Sequence, residues 1–216
     1  AYVENTTGLE LKNDKQKLTV EAVFKPEERD GIKTMAVLGG ITSAGYGIYV
    51  DKLDGNDVCV FKANIGGTVQ QIEASIALDT LYYAAATFDG TQMKLYLNGE
   101  EVASKEISGS IEKVNNLKTG IGVEWDKLND HRRYFFKGII DSVKVSNCVL
   151  TAEEISTNNE ELFGNGTGVG DEFTRDIVAS VAFDNTEPTR GDSVTVNVKV
   201  INKTKTDKTV NVKLVP

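Results

Sequence analysis

The fourteen residues from Val123 to Phe136, VEWDKLNDHRRYFF, hold the chain's single tryptophan and single histidine beside two adjacent arginines. A sugar site wants an aromatic face for the apolar C–H side of a ring and planar polar groups for its hydroxyls. Trp125 with Asp126, Asn129 and Arg132 meets that demand. Arg133 suits a carboxylated sugar, because a guanidinium binds a carboxylate through two parallel hydrogen bonds. Tyr134 adds a second aromatic ring. These six residues are the candidate ligand-binding set. The competing reading has Trp125 packed beneath the loop and both arginines solvated.

Hydrolytic chemistry finds no comparable group. A retaining glycosidase needs two carboxylates about 5–5.5 Å apart. Same-face residues i and i+2 of a strand lie roughly 7 Å apart along the chain, so an E-x-D-x-E strand can place such a pair. The chain contains no E-x-D-x-E. Its acidic neighbours, Glu27-Glu28, Glu100-Glu101, Glu153-Glu154 and Glu160-Glu161, fall at turns and helix ends, where carboxylates are solvated. His131 has no serine or cysteine motif beside it. G-x-S-x-G, H-E-x-x-H and paired C-x-x-C are all missing. The expectation is therefore a non-enzyme.

The elements that must carry these residues are strands. Leu18, Val20, Ala22 and Phe24 alternate with Thr19, Glu21 and Val23; Met93, Leu95 and Leu97 alternate with Lys94, Tyr96 and Asn98. Period-2 alternation predicts strands with one buried face. Asp54-Gly55, Gly66-Gly67, Asp89-Gly90 and Asn98-Gly99 supply the positive φ angles of tight hairpins. Leu38-Gly39-Gly40 reads as a bend. Tyr46 and Tyr49, three apart, face opposite sides of a strand, one core and one surface; Tyr82 and Tyr83 share that ambiguity. One helix is signalled: Thr151 with Glu154 forms a capping box, and Leu150 with Ile155 a hydrophobic staple. A second, weaker helical stretch runs from Asn159 to Phe163.

Composition bounds the rest. A net charge of −8 with an isoelectric point near 4.8 opposes nucleic acid and anionic membrane surfaces, which require clustered Lys and Arg. No apolar run approaches the roughly 20 residues of a membrane span, so no membrane insertion is expected. The chain opens at Ala1 rather than Met, and the expectation is a mature or excised piece of a longer polypeptide. Cys59, inside the apolar run VCVF, reads as a buried free thiol; a bridge to Cys148 is the open alternative.

Four segments in order carry a family resemblance: LTVEAVFKP (18–26), GYGIYVD (45–51), TLYYAAATFDGTQMKLYLNGEEVAS (80–104) and FKGIIDSVKVSNCVLTAEEI (136–155). Together they resemble concanavalin A-like, laminin-G-like domains of the bacterial type. Val23 and Leu81 stand where the family often has Trp, and Ser142 where it often has an acid, which places the chain among divergent members. The resemblance implies an all-β, two-sheet antiparallel jelly-roll sandwich over residues 1–164. Residues 165–176, glycine-rich, read as a linker. Residues 177–216, with strand-like runs at 177–183, 193–201 and 209–215, read as a partial immunoglobulin-like β-sandwich or a hairpin.

The resemblance also implies a non-catalytic, lectin-like carbohydrate-binding module, secreted or attached to a cell surface. Its partners would be a glycan and other domains of a larger polypeptide. The alternative is a protein-interaction or spacer module in a large extracellular adhesin or hydrolase. Many family members hold one structural Ca²⁺, and by resemblance Asp141 is a ligand here. Glu4 and Asn5 would join it if the N-terminal segment pairs beside the closing strand.

Overall fold

The computed structural model describes residues 3–5, 17–28, 31–42, 44–112, 119–126, 131–163, 177–183 and 196–202. The chain divides into two compact units, Ala1–Asp171 and Glu172–Pro216.

The first unit contains β1 (Val3–Asn5), β2 (Leu18–Pro26), β3 (Thr34–Gly39), β4 (Tyr46–Leu53), β5 (Asn56–Ile65), β6 (Thr68–Ser75), β7 (Tyr82–Phe88), β8 (Gln92–Leu97), β9 (Glu100–Glu106), β10 (Thr119–Ile121), β11 (Glu124–Asp126), β12 (His131–Arg133), β13 (Gly138–Ser146) and α1 (Ala152–Phe163). A six-stranded sheet runs β1-β10-β3-β4-β5-β6 and a five-stranded sheet β13-β2-β7-β8-β9. Every pairing is antiparallel. The hairpin turns follow from residue type: Asp54-Gly55 and Asn98-Gly99 both take positive φ at both positions, which matches the twist of the strands they join.

Between the sheets lies one apolar core. Leu18, Val20, Ala22 and Phe24 of β2 meet Ile48 and Val50 of β4, Phe61 of β5, and Met93 and Leu95 of β8. The period-2 reading of these inward faces holds. The outward faces depart from it, because β2, β4 and β7 are buried on both sides. Tyr46 and Tyr49 do face opposite ways, yet both are buried. Tyr49 lies outside the core, covered on the far side of its sheet. Tyr83 is likewise buried, while Tyr82 packs in the core against Phe24 with ring centroids 6.3 Å apart.

The covering element over the five-stranded sheet is α1. Its capping box forms as expected: the Glu154 N–H donates to Thr151 Oγ1 at 3.2 Å, and the Thr151 N–H donates to Glu154 Oε2 at 2.7 Å. The two helical stretches read from the sequence are one continuous helix. Ile155 and Asn159, four apart, are both buried, and packing along that face carries the helix past its first turn. Under it, Glu21 Oε1 accepts from the Tyr83 hydroxyl and from Asn158 Nδ2, each at 2.8 Å. Burial first, then the Glu21 carboxylate, raise the Tyr83 phenol well above its ordinary value.

Cys59 is buried and Cys148 exposed, both as free thiols. Burial, then the Asp51 charge, push the Cys59 thiol up to about 12. The thiolate is the reactive form. We therefore expect native protein at neutral pH to take up one equivalent of a thiol reagent, at Cys148, and denatured protein two. Two equivalents in the native state would contradict the burial of Cys59.

In the second unit, β14 (Ile177–Phe183) and β15 (Val196–Asn202) form an antiparallel pair from Ile177↔Asn202 to Phe183↔Val196. The run 209–215 and the linker 165–176 lie outside the described residues. No helix among the described residues is long and apolar enough to cross a membrane.

Candidate functional site

The described parts of Val123–Phe136 include two paired strands. They form the β11–β12 hairpin, with Glu124↔Arg133, Trp125↔Arg132 and Asp126↔His131 opposite one another. The hairpin is fixed to the six-stranded sheet by Glu124, which is fully buried. The Thr42 N–H donates to Glu124 Oε1 at 3.0 Å and the Thr42 hydroxyl at 2.6 Å. The Tyr49 hydroxyl donates to Glu124 Oε2. That phenol oxygen itself accepts from the Gly40 and Ile41 N–H groups at 3.3 and 3.1 Å. Burial first, then the Glu124 carboxylate, hold the Tyr49 phenol well above its ordinary value.

Backbone bonds extend the anchorage. Gly122 N donates to Val37 O at 3.0 Å, and Ala36 N donates to Tyr134 O at 2.8 Å. Gly39 and Gly120 face each other across β3 and β10, and a Cβ on either would collide with Val123. Leu38-Gly39-Gly40 is therefore less a bend than a place of close approach. The glycines leave room for the returning chain.

Of the six candidate ligand residues, the structure brings two pairs together. Arg132 lies over the Trp125 ring at 4.8 Å and Arg133 over the Tyr134 ring at 4.6 Å. Trp125 is only 9% exposed. Its ring is therefore roofed by a guanidinium instead of offering a bare stacking face. Arg132 is exposed, Arg133 and Tyr134 are half-buried. Asp126 sits on β11 by its backbone, and Asn129 lies outside the described residues. Glu124, Tyr49 and Thr42, which decide where the hairpin sits, carry no motif. They come together over separations of 75 and 82 residues, and nothing local announces that.

The expected calcium residues are not joined by pairing. Glu4 and Asn5 lie on β1, which pairs with β10 at Gly120 and Thr119. Asp141 lies on β13, which pairs with β2 in the other sheet and bulges between Ile140 and Ser142. The condition set by the sequence, β1 beside the closing strand, is not met. The physical reason is that β10 takes the place beside β1. No three His, Cys, Asp or Glu side chains gather among the described residues as an ion would require. Calcium wants six to eight oxygens, which carboxylates, amide and backbone carbonyls and water share.

Residues 1–156 match the family described as the concanavalin A-like lectin/glucanases superfamily, Laminin_G_3. Solved structures of similar fold include a native heptameric SAP-like pentraxin from Limulus polyphemus, with 19% identity over 86% of this chain and 82% of that one, at a TM-score of 0.54. A second is the binding domain of botulinum neurotoxin DC in complex with SialylT, with 11% identity, 74% and 39% coverage, and TM-score 0.54. A third, from Bacteroides ovatus, is a protein provisionally assigned to carbohydrate binding, with 15% identity, 93% and 57% coverage, and TM-score 0.56. At these identities the likeness is one of fold. The match spans less than two thirds of the toxin and Bacteroides chains. No curated protein matches this chain.

Proposed function

The chain belongs to the concanavalin A-like lectin/glucanases superfamily over residues 1–156, and on that premise we propose that its first unit is a non-catalytic carbohydrate-binding module of a secreted or cell-surface protein. Family membership is the observation that carries the reading. The toxin domain complexed with SialylT and the Bacteroides protein lend it a ligand class, not a ligand. On the same reading the chain contributes no hydrolytic step. Among the described residues, the buried glutamates Glu124 and Glu21 have their oxygens engaged by the scaffold. Residues 177–216 would extend the parent protein as the first part of an immunoglobulin-like sandwich.

The hairpin's part is recognition through Arg132, Arg133 and Tyr134. Their planar cations are held on aromatic rings before a ligand arrives, which reduces the ordering cost of binding. Such a module acts by raising the local concentration of its parent protein on a glycan. The second reading, a protein-interaction or spacer module, is favoured by the closed face of Trp125.

A glycan array run with calcium and with a chelator separates them. The expected result is selective binding to one sugar class, weakened in the Arg132→Ala, Arg133→Ala double variant without a change in melting. Loss in chelator alone would give calcium a part at Asp141. A blank array in both conditions would replace the carbohydrate reading by the interaction or spacer module.

A further inference from the structure

Away from the hairpin, a groove of about 260 Å³ lies on the outer face of the five-stranded sheet, where β7 and β8 meet the chain entering α1. Its construction follows from strand register. Thr87 pairs with Lys94, and Tyr96 with Ala85, so these residues stand on the face opposite Phe88, Met93 and Leu95. The other wall is residues 149–152, with Val149 and Leu150 supplying an apolar side and Ala152 the edge. Leu150 is pinned there, its N–H donating to Thr19 Oγ1 at 3.0 Å.

The polar groups are held in place before any ligand arrives. Asp89 Oδ1 accepts from the Thr91 N–H at 2.7 Å and from the Thr91 hydroxyl and Gln92 N–H at 2.8 Å each. Lys94 Nζ lies 2.9 Å from Glu101 Oε2. Asp89 and Lys94 are the charged residues on the lining, and Lys94 is already paired with Glu101. Tyr96 is 3% exposed. Its hydroxyl reaches Glu101 Oε2 only at 3.5 Å, outside the roughly 2.5–3.0 Å of a normal O–H···O bond. Lys94 has taken the better position on that oxygen. A nearly buried phenol at the groove floor thus holds only a long hydrogen bond, to an oxygen it shares with Lys94.

We propose that this groove binds one neutral sugar ring of the glycan, a terminal residue more than a run of several. This rests on the carbohydrate-binding reading above and names its subsite. The volume falls below the roughly 300–1,000 Å³ of pockets that enclose drug-sized ligands, which suits one ring. Lys94 is held by Glu101 and Asp89 Oδ1 by Thr91 and Gln92, which disfavours a strongly ionic ligand. One apolar wall facing a wall of hydroxyl, amide and ammonium groups matches the two faces of a pyranose. A sugar hydroxyl would give the Tyr96 O–H a closer acceptor than Glu101 Oε2 at 3.5 Å.

The test titrates glucose, galactose, mannose and arabinose singly into the full 216-residue protein, followed by amide NMR. The expected result is saturable shifts at residues 87–96 and 149–152 with one of them. Tyr96→Phe, which keeps the ring and loses only the hydroxyl, should weaken that binding about tenfold. Ala152→Trp, at an exposed position on the groove's edge, should abolish it by filling the space; Tyr96→Phe decides the matter if that variant does not fold. A protein that binds on the array but shows its shifts elsewhere, or binds equally well in both variants, overturns the groove and leaves the carbohydrate reading standing. No saturable shift together with a blank array overturns both.

Discussion

Gly39→Ala is expected to lower the melting temperature of the first unit by about 6–12 °C and to shift Trp125 emission to the red. A Cβ at position 39 would stand 2.1 Å from the Val123 carbonyl oxygen and 2.8 Å from Glu124 Cα. Both are backbone atoms, so no rotamer change relieves the clash. Nor can β3 retreat, since Gly39 is paired to Gly120, where a Cβ would in turn meet Val123 Cγ1 at 2.4 Å. Overpacking usually costs about 1–3 kcal/mol. A clash with backbone on one side and a paired strand on the other belongs at the top of that range. For a unit of this size each kcal/mol is worth about 2–4 °C. The relief available is for the chain at 123–124 to lift, carrying the hairpin with it. Trp125 is the only tryptophan, so its fluorescence reads that movement directly. A variant with the parent's melting point and emission would show that Val123 does not lie over Gly39.

Glu124→Gln is the second large effect, about 2 kcal/mol or 4–8 °C in melting, with Glu124→Ala costing more. The reason is donor arithmetic. Tyr49 Oη already accepts two backbone N–H groups, so its hydrogen must go to Glu124. Thr42 sends the same carboxylate an N–H and a hydroxyl. Only an acceptor without hydrogens serves all three donors. The glutamine amide is the same shape, but its NH₂ must face either the Tyr49 hydroxyl or the Thr42 N–H. One buried donor is then stranded. Calorimetric or circular-dichroism melts of wild type, Gln and Ala should rank in that order. A glutamine variant as stable as the parent would refute the acceptor-only role.

The two variants bear on function as well. If recognition runs through Arg132 and Arg133, lifting the hairpin by Gly39→Ala weakens glycan binding, because the cations lose their fixed positions. The groove beside α1 belongs to the other sheet and keeps its geometry. A comparison of the Gly39→Ala and Tyr96→Phe proteins on one glycan therefore assigns the contact to one surface or the other.

The sequence by itself determined the sandwich. Alternation in 18–24 and 93–97 gives the inward faces. Asp54-Gly55 and Asn98-Gly99 give the hairpins, and Thr151 with Glu154 gives the helix start. All of these are local, set by side-chain period, backbone sterics or a three-residue hydrogen bond. It also brought Trp125, Arg132 and Arg133 into view as chemically capable residues. What only the tertiary structure decided is which of those groups is free to act. Both outer faces are partly covered, one by α1 and one by the β11–β12 hairpin, so Glu21, which alternation put outward, is buried, both members of the Tyr46/Tyr49 pair are buried, and Glu124 of the hairpin is buried too. Trp125 is roofed by its cross-strand partner Arg132. The groove arises because residues 149–152 return beside the outward-facing residues of β7 and β8. Each of these outcomes depends on contacts between residues tens of positions apart, made by segments whose own sequence has no period to betray where they lie.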